Sequence, residues 1–346
     1  MPQESSAAIL YVAQQTSPDG TVLYGYKSPD GSFAISAVYE FALEFSEGLA
    51  FAKDSKGFVC IDKAGKELFR VSSDLQLESD FVSGWAMVKR PDRTYSYIDT
   101  QGNLLPLKLE RARAYSEGLA AVRVNGRWGF LGAKGSLQVK AVYPEVFDFH
   151  EGVAAAVQDN KMGFIDSKGT WVIPPAFELV GNFGNGLAPA QPGDEDGWGS
   201  SNMGYIDHTG KFVIPAKFGH THDFFENRAR VLLANSNEQW IYIDTDGKQV
   251  GSDSFSECED FSDGMAAVQI DGNWGYIDDS GTLQIAALYS RAGSFSSGLA
   301  FVISAERDAN GNQREGEIDK QGHWVESRDR NPADDILPSP AVLPPL

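Results

Sequence analysis

An aromatic residue followed by x-x-Gly-x-Ala, or a close variant, opens one segment after another of this 346-residue chain. The copies run Phe45 to Ala50, Phe81 to Ala86, Tyr115 to Ala120, Phe149 to Ala154, Phe183 to Ala188, Phe224 to Ala229, Phe261 to Ala266 and Phe295 to Ala300. Their leading aromatics lie 36, 34, 34, 34, 41, 37 and 34 residues apart, which marks a repeat array and overrides the two ordinary domains that length alone suggests. A second phrase follows the first, cleanest in Trp128-Gly129-Phe130, Met162-Gly163-Phe164, Met203-Gly204-Tyr205 and Trp274-Gly275-Tyr276. Tyr24-Gly25-Tyr26 adds an N-terminal copy whose first strand is Ala8 to Ala13, making nine units.

The second phrase continues into Ile-Asp-x-x-Gly. The acids are Asp62, Asp99, Asp166, Asp207, Asp244, Asp278 and Asp319, each with a glycine three places on. An Asp that opens a tight turn accepts hydrogen bonds from N–H groups just ahead of it, and Gly supplies the positive φ that closes the turn. A short apolar strand follows, such as Trp171 to Ile173, Phe212 to Ile214 or Leu283 to Ile285. Tyr39, Tyr143, Phe177, Phe218 and Tyr289 then stand six residues before the next leading aromatic. Asn125-Gly126 and Asp271-Gly272 are dipeptides that two-residue type I′ hairpins prefer, and side-chain character alternates at period two around them. Each unit reads as three antiparallel strands and a connecting corner.

These phrases, in this order, resemble the bacterial WG β-repeat family, also called KWG repeats. The resemblance covers residues 8 to 326; the pattern departs where Val59, Ser96 and Ile241 replace the glycine and where Glu315 and Glu317 replace both aromatics. It implies a binding or scaffold array with no shared catalytic residues and no cofactor.

A unit of about 34 residues cannot bury enough apolar area to offset its chain entropy, so neighbours must share their rings. The expected fold is all-β: a tandem array of about nine three-stranded antiparallel β units, drawn into a curved or superhelical solenoid, with a closed propeller-like ring as the alternative. The array spans residues 1–327, its last copy expected as a solvent-facing cap built on Glu315 and Glu317, and 328–346, with five prolines, reads as a flexible C-terminal tail.

Composition narrows the partners. With 48 acidic and 29 basic residues the formal charge is −19, which repels a phosphate backbone and an anionic bilayer and suits a basic protein. Nucleic acid and membrane are therefore excluded as expected partners, and oligomeric state is left open. Cys60 and Cys258, in different repeats, offer neither a disulfide framework nor metal-ligand spacing and read as buried or half-buried thiols. Met1 to Ser6 lacks a basic n-region and Ala7 to Ala13 is short for a signal peptide, so the expectation is a soluble cytoplasmic protein, or an extracytoplasmic one if a leader was removed.

No nucleophile elbow, phosphate loop, dinucleotide fingerprint or zinc-ligand phrase occurs. The repeated Asp residues read as turn caps rather than calcium ligands, because they lack the dense carboxylates and glycines of that motif. His220 and His222, followed by Asp223, are the candidates for a metal, but a third or fourth ligand is not evident and a local polar corner is the simpler reading. Glu257, Glu259 and Asp260 form an acidic group of the kind that 48 carboxylates produce by chance.

Departures from the repeat carry more functional information than the repeat, since packing explains the common positions. Two connections are long: Pro189 to Asn202, with Asp194, Glu195, Asp196 and Trp198, and Ser304 to Gly316, with Arg307. Long loops on one edge of an array are where specificity sits. Arg228 and Arg230 replace the usual apolar residues and read either as a salt-bridged strand face or as ligand contacts. The expected function is non-catalytic protein binding through edge loops. Carbohydrate or cell-envelope binding is the alternative, and a hydrolase with a carboxylate groove the second.

Overall fold

The computed structural model describes residues 9–193, 202–234, 236 and 239–330. Among them lie thirty β-strands and no helix, and every pairing is antiparallel. The chain divides into two compact units, Met1–Phe149 with Ser167–Gly169, and His150–Asp166 with Thr170–Leu346. In the first, small sheets follow one another, for example Tyr11–Thr16, Val22–Lys27 and Phe33–Tyr39, then Phe41–Ala42, Leu49–Asp54, Gly57–Asp62 and Glu67–Arg70. In the second, strands from Val153–Gln158 to Gln249–Phe255 pair each with the next in chain order, and a six-stranded sheet runs from Met265–Ile270 to Trp324–Arg330.

The glycine of the second phrase has a specific steric cause. A Cβ on Gly163 would stand 2.4 Å from the carbonyl oxygen of Ile173, and Gly25, Gly129, Gly204 and Gly275 meet the matching carbonyl at 2.4 to 2.6 Å. The third strand bulges over the second at this point: Met162 pairs with Phe177 and Phe164 with Ile173, so the third strand spends two extra residues there. No side chain larger than hydrogen fits beneath that crossing backbone.

The bulge also makes the corner. Trp171–Val180, Phe212–Thr221 and Leu283–Ala292 are ten-residue strands, longer than the short apolar strands expected, and their second halves pair with the first strand of the next repeat. Phe177 and Phe218 sit at the bend, opposite Met162 and Met203 on one side and Pro192 and Leu233 on the other. One continuous strand thus replaces a separate connection.

Rings bind repeat to repeat, as the entropy argument requires. Tyr26–Phe45, Phe130–Phe149, Phe164–Phe183, Tyr205–Phe224 and Tyr276–Phe295 meet with centroids 4.7 to 4.8 Å apart, each pairing the second phrase of one repeat with the leading aromatic of the next. Such pairs contribute about 1 kcal/mol beyond the area they bury. Where the ring is tyrosine, its hydroxyl donates to a backbone carbonyl seventeen residues on: Leu43 for Tyr26, His222 for Tyr205, Gly293 for Tyr276. Burial and satisfaction of the polar tip are achieved together.

The turns supply a second set of links. Asp62, Asp99, Asp207, Asp244, Asp278 and Asp319 each accept, through Oδ1, the N–H groups two and four residues ahead. The aromatic-x-x-Gly phrase is itself a tight turn with two successive left-handed residues, such as Glu47 (φ 53°) and Gly48 (φ 81°). Glu47 accepts the N–H groups of Ser83 and Gly84 in the next such turn, and Glu226 those of Asp263 and Gly264. Carboxylates at this position therefore join successive turns.

Two expectations are corrected by the last repeat. Ser304 to Gly316 is a hairpin rather than a long loop, with strands Leu299–Arg307 and Gln313–Asp319 and a turn closed by Asp308. Glu315 is 6% exposed, so it is no solvent-facing cap residue; the ring role passes to Trp324, whose ring lies 6.2 Å from Tyr289 under the Arg314 guanidinium. The final strand, Trp324–Arg330, includes the first residues of the proline-rich segment.

Candidate functional site

Most chemically capable side chains are consumed by packing. Cys60 and Cys258 are buried, and burial pushes both thiols up to about 12, which removes them from nucleophilic chemistry. In the first unit a cleft of about 430 Å³ is lined by Arg90, Asp92 and Lys108 among others, but its charges are committed. Lys108 pairs with Asp92 at 2.6 Å, and Arg90 Nη2 donates to Ser96 Oγ and to the carbonyls of Leu105 and Leu107.

The second unit holds a cleft of about 280 Å³ that gathers departures from the repeat. The long bent strand Phe212–Thr221 brings His220 to its wall, His222 and Asp223 follow immediately, and Asp260 arrives from the next repeat. Asp223 and Asp260 each precede a leading aromatic, Phe224 and Phe261, so they hold the same place in successive repeats. The apolar wall includes Leu179, Pro189, Met203 and Phe225, with Leu179 and Phe225 43% and 44% exposed.

Beside this cleft Arg230 forms the main electrostatic support. Its Nε donates to Asp260 Oδ1 at 2.7 Å, Nη2 lies 3.7 Å from Glu259, and Nη1 donates to the Cys258 carbonyl. Burial opposes the guanidinium charge most strongly, yet the bond to Asp260 and the two carboxylates outweigh it and raise its pKa. The guanidinium carbon lies 5.8 Å from the ring of Trp240, which also meets His222 at 5.5 Å and His220 at 6.0 Å. Burial first, and Arg230 second, push the His222 imidazole down to about 4, so it is neutral near pH 7.

Asp223 is held differently. Its Oδ1 and Oδ2 accept the backbone N–H and the side-chain amide of Asn182 at 2.9 and 3.0 Å. Burial raises its pKa, the Asn182 bonds and His150 pull against that rise, and Asp260 adds to it. The His220 and His222 ring centroids are 5.1 Å apart at 78°, and among the described residues no three His, Cys, Asp or Glu side chains converge as a metal would need.

The sequence candidates therefore separate. His220, His222, Asp223 and Arg230 come together in and beside one cleft. Arg228 does not join them: its guanidinium donates to the carbonyls of Asn227 and Asp279, tying one turn to another. Arg307 donates to Gly311 across its own hairpin turn. Asp194, Glu195, Asp196 and Trp198 lie outside the described residues. Asn182 and Trp240 were missed as site residues; alignment of the repeat gives the one usable signal, since Asn182, Asp223 and Asp260 all precede a leading aromatic.

Seven stretches match the sequence model described as WG containing repeat: residues 24–56, 95–128, 128–161, 162–194, 203–235, 240–274 and 274–303. No curated protein matches the chain. Among solved structures, one described as the crystal structure of the eukaryotic initiation factor aligns over 92% of this chain and 95% of its own, with 14% identity and a TM-score of 0.58. At that identity the likeness is one of fold. Kluyveromyces lactis Hsv2p (11% identity, 75% and 98% of the two chains, TM-score 0.41) and BamB from Moraxella catarrhalis (11%, 82% and 86%, 0.38) align more loosely and carry no argument.

Proposed function

This chain belongs to the WG-containing repeat family, and from that premise we propose that it is a non-catalytic scaffold that binds another protein through the cleft at Asp223 and Asp260 and through residues 194–201. The observation that carries the reading is the division of labour among side chains. Repeat positions are spent on rings, turns and backbone bonds, while His220, His222 and Arg230, which stand outside the pattern, gather at one cleft. Pro189 on its wall belongs to the strand Ala188–Pro192, which leads into residues 194–201, the insertion behind the 41-residue spacing. A concave site with a few convergent polar groups is the ordinary form of a binding surface.

Two features support holding rather than chemistry. The carboxylates of Asp223 and Asp260 occupy repeat positions, and each is tied to a neighbouring side chain, Asn182 or Arg230. The formal charge of −19 favours a basic partner through electrostatic steering and disfavours nucleic acid and anionic membrane. Affinity capture tests the reading with three baits: the intact chain, a chain lacking residues 194–201, and His222→Ala. A protein retained by the intact chain and lost from either variant supports it; identical capture by all three removes the cleft and residues 194–201 from the binding surface.

A further inference from the structure

We propose that the cleft between Asp223 and Asp260 takes the side chain of a lysine from a basic protein segment. This rests on the protein-binding reading above and names the chemistry of the partner.

The two acids face the same space from adjacent repeats but are neutralised unequally. Asp260 has the guanidinium of Arg230 at 2.7 Å, whereas the hydrogen bonds on Asp223 come from the neutral backbone and side chain of Asn182. Among the described residues no side-chain cation lies within ion-pair distance of Asp223. Burial raises its pKa and like-charge repulsion from Asp260 adds to the rise, against the pull of the Asn182 bonds and of His150. A cation between the carboxylates removes that repulsion and provides the compensation a sequestered charge needs.

The rest of the cleft suits a lysine in particular. Leu179, Pro189, Met203 and Phe225 offer an apolar wall to a four-carbon stem, and lysine buries its stem while its ammonium seeks polar acceptors. A compact ammonium directs donors to several acceptors at once, whereas a planar guanidinium prefers one carboxylate in fork geometry. His222 is neutral near pH 7, so its ring adds no opposing charge there.

The test titrates the intact chain with acetyl-Gly-Lys-Gly-amide and with the same peptide acetylated on the lysine Nε, following the ring signals of His220 and His222 by NMR. Saturable shifts with the first peptide, at least tenfold weaker with the second, are expected. Asp223→Asn is expected to weaken the first interaction at least tenfold, and Phe225→Ala, at the exposed mouth, to weaken it less. Asp308→Asn, in a distant hairpin, leaves it unchanged, and melting curves verify that each variant folds. Equal response to both peptides, or full response by folded Asp223→Asn, overturns the lysine assignment. Absence of any response by the intact chain overturns it as well, while cleft-dependent protein capture would leave the binding reading standing.

Discussion

The repeat around Gly163 and the repeat around Ser96 face the same problem, where to place the backbone that follows the second strand, and answer it with different atoms. At Gly163 the third strand crosses directly over the glycine, its Ile173 carbonyl where a Cβ would be. At Ser96, which is fully buried, residues beyond the turn meet the second strand only at the isolated bridges Ile98–Leu104 and Tyr95–Leu109. There the Ser96 hydroxyl donates to the Leu105 carbonyl at 2.8 Å, and Arg90 donates to Leu105 and Leu107. A lost backbone crossing is thus replaced by side-chain donors, which shows that the glycine serves sterics while the replacement serves hydrogen bonding.

The sharpest way to break this contrast is Gly163→Val, expected to destabilise the chain by more than about 3 kcal/mol because the crossing strand must be displaced. Urea denaturation would measure it; a loss below 1 kcal/mol would show the crossing to be adjustable. Arg90→Met should follow at about 2 kcal/mol, since it leaves the Leu107 carbonyl without its donor, removes one of two donors from the Leu105 carbonyl and takes a partly buried side chain out of the irregular segment. If it is neutral, water can replace the guanidinium and the contrast reduces to a difference in shape. Tyr205→Phe, which makes its repeat like the one around Phe164, should cost about 1 kcal/mol for the bond to the His222 carbonyl.

A pH dependence, with little effect near pH 7, separates the cleft from the ordinary repeats. His222 has its pKa lowered from 6.5 to about 4, so the folded protein favours the neutral ring more than the unfolded chain does. Its stabilising contribution is complete above pH 6.5 and is lost as pH falls toward 4. The neighbouring charged groups are Arg230, Asp260 and His220. His222→Gln is expected to flatten the fall in stability across that window, read from urea midpoints at several pH values; an unchanged profile assigns the acid response to carboxylates.

Local features were legible because their cause lies within a few residues. Asp207 and Gly210 form one turn, and Asn125 and Gly126 adopt the left-handed conformations of the hairpin their identities implied. The His220, His222 and Asp223 group was legible as a cluster because its members are adjacent in sequence. Asn182, Trp240 and Asp260 were not, because they reach it from other repeats. Arg307 was read as a loop residue since Ser304, Ala305 and Glu306 carry no hydrophobic alternation, yet pairing of Arg307 with Gln313 extends the strands past the core. Polar hairpins of this kind are held by backbone bonds, which side-chain pattern does not report.

By itself the sequence determined the β-repeat, its period and its turns, since these follow from φ preferences of glycine, hydrogen bonding by Asp and the alternation of apolar groups. Tertiary structure alone decided which carbonyl lies over Gly163, which turn each Glu reaches, and which acids share the cleft. The reason is range: strand and turn preferences act between neighbours in the chain, whereas steric exclusion, ion pairing and desolvation act between groups that only folding brings within a few ångströms.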